Sequence, residues 1–372
     1  MYRALLIALG ILTGFTGCAK SPAGMKVVKI ALVCPLTGDV AAMGQGMKRA
    51  AEIAVEEGNA AGRFQDIKLE LAAFDDRADP KEAVNVANQI ISDRQIAGVV
   101  GHLNSGCSIP ASQIYSKRGL LMITSASTNP KLTLQGLKNV FRICTTDDVQ
   151  GSFAANYFID KLKITRAAVI HDKTSYGQGL AEEFKKQFEI RQGKITGFDG
   201  INIGDKDFRA LLTSIKNKKP SLIYYGGMYT ECGLISKQAK ELGLPVPVVS
   251  GDGVFTPEFI KIGGNATEGD YASMIGIPPE KLPKAKAFIE RYKAKYPGVD
   301  MQPYDTYTYE ATSLIMEAIE KTGKDPAQIV DYVSRAKFSG ILGETTFDAK
   351  GDTLNKTISI YRVKNGKFIY CE

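Results

Sequence analysis

Residues 99–115 read VVGHLNSGCSIPASQIY, and this stretch contains one copy of the unit from which most of the chain is built. A short β-branched apolar run comes first, then a polar loop, then a segment that suits a short helix around 110–116. A brief apolar run bounded by turn residues is typical of a buried strand. The stretch therefore predicts a strand, a loop and a helix, with polar residues at the carboxyl end of the strand.

The same unit recurs in two series of about equal length, which meet near residue 149. The predicted strands are 27–33, 67–74, 96–101, 119–124, 139–143, 166–172, 194–201, 221–227 and 246–251. Strands that alternate with helices at this spacing favour βαβ units and parallel sheets with helices on both faces. The sequence therefore predicts an α/β fold with two doubly wound lobes.

The C-terminal third departs from this alternation. Two long helices are predicted at 281–296 and 305–322 and a shorter one at 326–336, and strands follow at 356–363 and 367–372. No linker rich in Pro, Gly or Ser separates the two series, so the lobe boundary has to be inferred from the strand–helix pattern.

The N-terminus has the features of an export signal. Arg3 is followed by an uncharged, mostly apolar run over 4–16, which is shorter than the roughly 20 residues that span a bilayer. Gly17-Cys18 resembles the processing site of bacterial lipoproteins, in which the Cys is acylated. We expect a lipoprotein-type signal peptide over 1–17, a tether over 18–25 and a folded part that begins near residue 26.

Composition argues against several classes of function. The net charge is +7, and its 47 basic and 40 acidic residues are interleaved along helical segments, which indicates a solvated surface rather than a nucleic-acid site. The six cysteines match no zinc spacing, and two histidines are too few for a His-rich metal centre. We therefore expect no metal, no cofactor and no nucleic-acid partner.

Polar or aromatic residues follow most of the predicted strands, where ligands of open α/β sheets bind. The residues that stand there are Ser105, Ala126, Thr128, Tyr176, Met228 and Asp252. Ser105 lies at the start of a helix, where free N–H groups and the helix dipole attract an anion such as a carboxylate, although an N-cap Ser needs no ligand. Together these residues could hold a small zwitterion.

Two enzyme interpretations are weaker. The segment after the third strand lacks the G-x-S-x-G pattern of serine hydrolases, and no third group is evident that would orient His102 for attack by Cys107. Gly44 and Gly46 precede a helix, but they lie far from the strand end and Arg49 stands where a dinucleotide loop needs its third Gly. The sequence thus indicates binding without catalysis.

Seven segments resemble the periplasmic leucine/isoleucine/valine-binding proteins, which are type I solute-binding components of ABC importers. These segments are IALVCPLTGDVAAMG, FDDRADPKEAVNVANQIISD, VVGHLNSGCSIPAS, GLLMITSAST, AVIHDKTSYGQGLAEEF, FDGINIGDKDFRALL and LIYYGG. The resemblance covers about 26–352 and implies two lobes joined by three hinge crossovers. It places one lobe over 26–147 and 276–355, and the other over 148–275 and 356–372.

The resemblance also implies roles for the site residues. Ser105 and backbone N–H groups would hold the ligand's α-carboxylate, whereas the Ala126 carbonyl, the Thr128 hydroxyl and Asp252 would hold its ammonium. Tyr176 would close on the ligand from the second lobe. A further aromatic residue, Tyr304, would line the pocket for the ligand's side chain, although a core position at a helix start explains it equally well.

Three departures from the family pattern bear on selectivity. Asp252 replaces the usual Glu and is one methylene shorter, while Met228 and Met43 replace aromatic residues near the side-chain pocket. Two thioethers would make that pocket apolar and adaptable. The family's disulfide partners correspond to Ala78 and Asn104, so that bond cannot form here.

The resemblance implies a protein of the periplasm, with its only membrane contact through lipid at Cys18. It would be a monomer that captures an amino acid, branched-chain or otherwise apolar, and delivers it to the permease subunits of an ABC importer. A ligand-sensing receptor component for an amino acid or a small amide is the alternative that the sequence leaves open.

Overall fold

A computed structural model of the protein describes residues 25–64 and 66–371. The expected signal peptide, the acylation site at Cys18 and all but the last residue of the tether lie outside the described residues. Within them, helices and strands alternate as the sequence predicts, and the α/β fold with two parallel-sheet lobes is confirmed.

The first sheet has five parallel strands in the order β2-β1-β3-β4-β5. Its strands are β1 (Lys26–Cys34), β2 (Ile67–Asp75), β3 (Ile96–Gly101), β4 (Leu121–Thr124) and β5 (Val140–Arg142). The helices between them are α1 (Ala41–Ala60), α2 (Pro80–Ser92), α3 (Ser105–Ser116) and α4 (Lys131–Leu134). Every residue of β3 and β4 is buried, as expected for central parallel strands covered on both faces.

The second sheet has seven strands in the order β14-β13-β10-β9-β8-β6-β7. The parallel part comprises β6 (Arg166–His171), β7 (Lys194–Gly200), β8 (Leu222–Gly226), β9 (Val248–Ser250) and β10 (Tyr271–Ile275). Its helices are α5 (Asp147–Leu162), α6 (Ser175–Ile190), α7 (Arg209–Asn217), α8 (Tyr229–Glu241) and α9 (Pro257–Gly263). The sequence pattern did not predict β10, which lies between a parallel and an antiparallel neighbour.

The C-terminal third contributes to both lobes. It contains α10 (Lys286–Lys295), α11 (Asp305–Thr322), α12 (Pro326–Arg335), the hairpin β11 (Phe338–Gly340) and β12 (Gly343–Thr345), and the strands β13 (Ile358–Lys364) and β14 (Lys367–Tyr370). Helix α11 packs on the first lobe, where the Thr308 and Ser125 hydroxyls are 2.9 Å apart. Strands β13 and β14 extend the second sheet. The chain therefore crosses between lobes three times, after β5, after β10 and before β13.

Helix α2 begins as the sequence predicts. The Asp79 carboxylate accepts hydrogen bonds from the N–H groups of Lys81 (2.7 Å) and Glu82 (3.0 Å), and Pro80 is the first helical residue. These contacts satisfy N–H groups that have no partner inside the helix.

A buried arginine links the first crossover, which follows β5, to the third, which precedes β13. Arg142, with no exposed surface, donates to the Asp352 carboxylate (2.8 Å) and to the Thr133 hydroxyl (2.7 Å). It also donates to the carbonyls of Ser127 (3.0 Å) and Asn129 (2.8 Å). The arginine thereby fixes the loop after β4, which carries Thr128.

Across the part of the chain that the structure describes, no helix is both long enough and apolar enough to cross a bilayer. All five cysteines in the same part of the chain are free thiols: Cys34, Cys107, Cys144, Cys232 and Cys371.

Candidate functional site

All eight residues that the sequence predicts for the site are buried, with exposed fractions between 0% and 8%. They are Met43, Ser105, Ala126, Thr128, Tyr176, Met228, Asp252 and Tyr304. Most of them stand where a strand ends or a helix begins: Ser105 opens α3, Met228 is the N-cap of α8, and Asp252 follows β9. Burial of so many loop residues requires that the two lobes cover one another.

Asp252 contacts the other lobe through Tyr304 and its own lobe through Tyr176. Its carboxylate accepts hydrogen bonds from the Tyr176 hydroxyl (2.9 Å), which belongs to α6, and from the Tyr304 hydroxyl (2.8 Å), which precedes α11. Burial raises the pKa of Asp252, and the two tyrosine hydroxyls oppose that rise because they stabilise the anion. The contact between Tyr304 and Asp252 is one that the resemblance did not imply.

Asp147 is a second buried carboxylate in the same place, and the sequence analysis missed it. It is the first residue of α5, has no exposed surface, and its N–H donates to the Thr128 carbonyl (2.9 Å). Both carboxylate oxygens and the neighbouring Thr128 hydroxyl are fully buried. Burial raises the pKa of Asp147 well above its ordinary value; the Thr128 hydroxyl opposes that rise, and the negative charge of Asp252 adds to it.

The loop that carries Thr128 also connects to Ser105 and to the second lobe. The Asn129 N–H donates to the Ser105 hydroxyl (3.2 Å), and the Asn129 side-chain amide donates to the Ser175 carbonyl (2.5 Å) of α6. Ser105 is the first residue of α3, whereas Asn104 is its N-cap and makes no side-chain cap bond. The interpretation of Ser105 as an N-cap is therefore wrong, and its hydroxyl faces the loop after β4.

Several helices begin around this region. Helix α3 starts at Ser105, α6 at Ser175, and α8 at Tyr229, so their free N–H groups and positive dipole ends lie near the interface between lobes. Thr174 caps α6 through a hydrogen bond from the Gly177 N–H (2.9 Å). An interface with helix N-termini and buried carboxylates offers separate places for a negative and a positive group.

The two methionines stand at the starts of α1 and α8. Met43 is fully buried in the first turn of α1, and Met228 precedes α8. These helix ends touch, because the Thr230 hydroxyl donates to the Asp39 carbonyl (3.2 Å).

His102 and Cys107 do not form a nucleophile–base pair. His102 Nδ1 lies 2.6 Å from the Asp76 carboxylate, and its Nε2 lies 3.0 Å from the Tyr115 hydroxyl. Burial raises the pKa of the Cys107 thiol, which disfavours the reactive thiolate. Asp76 therefore orients His102, and the sequence had shown no residue that could do so. His102 belongs to a buried hydrogen-bond network, in which its backbone carbonyl accepts from the Ser127 hydroxyl (3.1 Å).

The chain is similar to known binding proteins over nearly its whole length. It is 36% identical over 362 residues to Leu/Ile/Val-binding protein homolog 1 of Brucella suis, covering 97% of this chain and 95% of the relative. It is 38% identical over 349 residues to a leucine-, isoleucine-, valine-, threonine- and alanine-binding protein of Pseudomonas aeruginosa, covering 93% and 92%.

Solved structures agree with these relatives. A leucine-binding protein from Thermotoga maritima superposes with a TM-score of 0.85 at 32% identity, covering 93% of this chain and 98% of that one. A branched-chain amino acid transporter substrate-binding protein from Streptococcus pneumoniae, solved with isoleucine, also gives 0.85, at 28% identity, covering 93% and 100%. The profile of the periplasmic binding proteins matches residues 27–367. The chain belongs to the periplasmic binding protein family.

Proposed function

We propose that this protein captures a branched-chain or other apolar amino acid between its lobes, outside the cytoplasm, and delivers it to an ABC importer. The observation that carries the proposal is the buried pair of carboxylates, Asp147 and Asp252, beside helix N-termini at the interface between lobes. The relatives named for binding leucine, isoleucine and valine support the ligand class.

The ligand's two charged groups need different partners. Its α-carboxylate is held by the Ser105 hydroxyl and the N–H groups at the start of α3, whereas its ammonium is held by the Ala126 carbonyl, the Thr128 hydroxyl and Asp252. Both groups lose water on binding, so each must receive charge-assisted hydrogen bonds for binding to be favourable. No bond of the ligand is made or broken.

Capture is a closure of the lobes, which we assign to residues 26–147 with 276–355 and to 148–275 with 356–372. Hydrogen bonds that cross between them join Asn129 to Ser175, and Thr256 to Gln302 (2.9 Å). A ligand favours closure only by contacting both lobes at once. In this proposal Tyr176 and Asp252 supply the contacts from the second lobe and Thr128 supplies one from the first.

Met43 and Met228 line the part of the pocket that receives the ligand's side chain. We expect Met228→Ala to weaken leucine binding by about 1–2 kcal/mol, since a buried apolar contact is lost, and to change alanine binding little. Calorimetric titration with both amino acids measures the difference. Met25→Ala, at an exposed position outside the interface, is the control and should leave both affinities unchanged. Equal losses for leucine and alanine would remove Met228 from the side-chain pocket.

We further propose export by the signal at residues 1–17 and anchoring through lipid at Cys18, with the protein acting as a monomer. Metabolic labelling with palmitate should mark the wild-type protein and not Cys18→Ser. Labelling of both would exclude Cys18 as the acylated residue.

The proposed function is tested by native mass spectrometry of the purified protein, followed by calorimetric titration with each common amino acid. We expect a bound mass equal to that of an apolar amino acid, and binding of leucine, isoleucine or valine. Failure to bind any free amino acid would refute the proposal.

A further inference from the structure

One contact between the lobes is made by residues that have no place in the predicted site. The Thr256 hydroxyl lies 2.9 Å from Oε1 of Gln302, and Nε2 of the same amide donates to the Glu258 carboxylate (3.5 Å). Thr256 and Glu258 stand at the start of α9 in the second lobe, whereas Gln302 precedes α11. Thr256 is 1% exposed and Gln302 8%, so water is excluded from the contact. We call Gln302, Thr256 and Glu258 the closure contact.

Gln302 is attached to the first lobe through its backbone and its side-chain stem. Its N–H donates to the carboxylate of Asp305 (3.0 Å), the first residue of α11. A Cβ on Gly46 of α1 would lie 2.7 Å from the Cβ of Gln302, so the stem packs directly against that helix. These contacts are made within one lobe and persist when the lobes separate. Only the terminal amide of Gln302 depends on closure.

The partners of this amide are held within the second lobe in the same way. Thr256 is the N-cap of α9, and its hydroxyl accepts a hydrogen bond from the Glu258 N–H (3.4 Å) and lies 2.5 Å from the Glu258 carboxylate. Glu258 also pairs with Lys261, one turn later in α9 (3.1 Å). The hydroxyl and the carboxylate are therefore in position for Gln302 before the lobes meet.

We propose that Gln302 sets how tightly every ligand is held, through the closure contact, and takes no part in the choice among ligands. This inference rests on the proposed function, in which the arrangement described here is the closed one that a ligand favours. Opening returns the three side chains to water, and closure exchanges that water for hydrogen bonds between the lobes. The free energy of this exchange adds equally to the binding of each ligand that closes the lobes.

The closure contact should therefore change affinity without changing selectivity. Gln302→Ala removes the amide, and the net loss of its hydrogen bonds should weaken binding about two- to tenfold. The factor should be the same for every amino acid that the wild type binds. Met228→Ala differs, because it should weaken leucine binding and leave alanine binding nearly unchanged. The ratio of affinities thus separates a closure residue from a residue of the side-chain pocket.

Gln302→Glu is the sharper variant, because it keeps the stem and places a second carboxylate against that of Glu258 when the lobes close. Like charges facing each other across an interface are costly, so we expect every amino acid to bind about ten- to a hundredfold more weakly. Adding Glu258→Gln exchanges the amide and the carboxylate between the lobes. This double variant should bind within about threefold of the wild type, since its contact again joins one amide and one carboxylate.

The ligand-free proteins separate closure from folding. The closure contact is absent when the lobes are apart, so Gln302→Glu should unfold in urea at the midpoint of the wild type, whereas a residue needed for folding would lower it. Gln95→Glu adds the same charge at an exposed position of the first lobe and should change neither midpoint nor affinity. If circular dichroism shows that Gln302→Glu is unfolded, Gln302→Ala and its equal losses decide.

The experiment is calorimetric titration of the purified wild type and these variants with L-leucine, L-isoleucine, L-valine and L-alanine. We expect equal factors of loss across the ligands and recovery in the double variant. Undiminished affinity in the Gln302 variants, losses that differ between ligands, or a loss that Glu258→Gln does not restore would each overturn the inference and leave amino-acid capture intact. Absence of binding of every amino acid to the wild type would refute the proposed function itself.

Discussion

Replacing Asp252 with asparagine is expected to weaken leucine binding by about 2–5 kcal/mol, as is typical when one partner of a buried, hydrogen-bonded charge pair is removed. Asparagine keeps the size of the side chain, so the loss comes from the missing negative charge opposite the ligand's ammonium. The Tyr176 and Tyr304 hydroxyls, which now donate to the carboxylate, would also have to share a single carbonyl acceptor.

Affinity and stability should respond differently to this change. Asp252 and Asp147 are both buried, and neutralising Asp252 removes a desolvated charge close to a second acid, so we expect little loss of folding stability. Isothermal titration calorimetry measures the affinity and urea unfolding the stability. Asp207→Asn removes an exposed carboxylate of the same lobe and should alter neither. Undiminished leucine affinity in Asp252→Asn would contradict the role assigned to this residue.

Arg142→Met is expected to lower the free energy of unfolding by about 3–5 kcal/mol, because it leaves the Asp352 carboxylate buried without its cation. Methionine fills much of the space of the arginine stem, so the loss is one of charge and hydrogen bonds. The carbonyls of Ser127 and Asn129 lose their donor as well, which loosens the loop that carries Thr128. Leucine affinity should therefore fall together with stability.

Urea unfolding of Arg142→Met, Asp352→Asn and the double variant measures the interaction between the two residues. We expect the double variant to be less destabilised than the sum of the single variants, since no unpaired charge remains. Arg191→Met breaks an exposed pair with Asp160 and should cost no more than about 1 kcal/mol. A loss for Arg142→Met as small as that of Arg191→Met would show that this buried network contributes little to stability.

The features that the sequence predicted well are those set by short stretches of chain. The apolar run before Gly101 and the helix after it, and the cap of α2 at Asp79, depend on residues a few positions apart. The polar residues at strand ends were also predicted from the sequence, because the carboxyl edge of a parallel sheet follows from the order of its strands.

The features that were missed depend on contacts between distant parts of the chain. Strand β10 is a five-residue run that is held by its antiparallel neighbour β13. Asp147 reads in the sequence as an ordinary acid in the first turn of a helix, a position that favours negative charge at the surface. Its burial arises only when the lobes cover it. The bond between Tyr304 and Asp252 likewise joins residues 52 positions apart.

The measurement that tests the central claim most directly is a crystal structure of the protein with leucine. The account predicts leucine between the lobes, with its ammonium within hydrogen-bond distance of the Ala126 carbonyl, the Thr128 hydroxyl and a carboxylate oxygen of Asp252. The leucine carboxylate should lie against Ser105 and the first N–H groups of α3. Leucine bound outside the interface between lobes, or with its ammonium facing away from Asp252, would contradict the account.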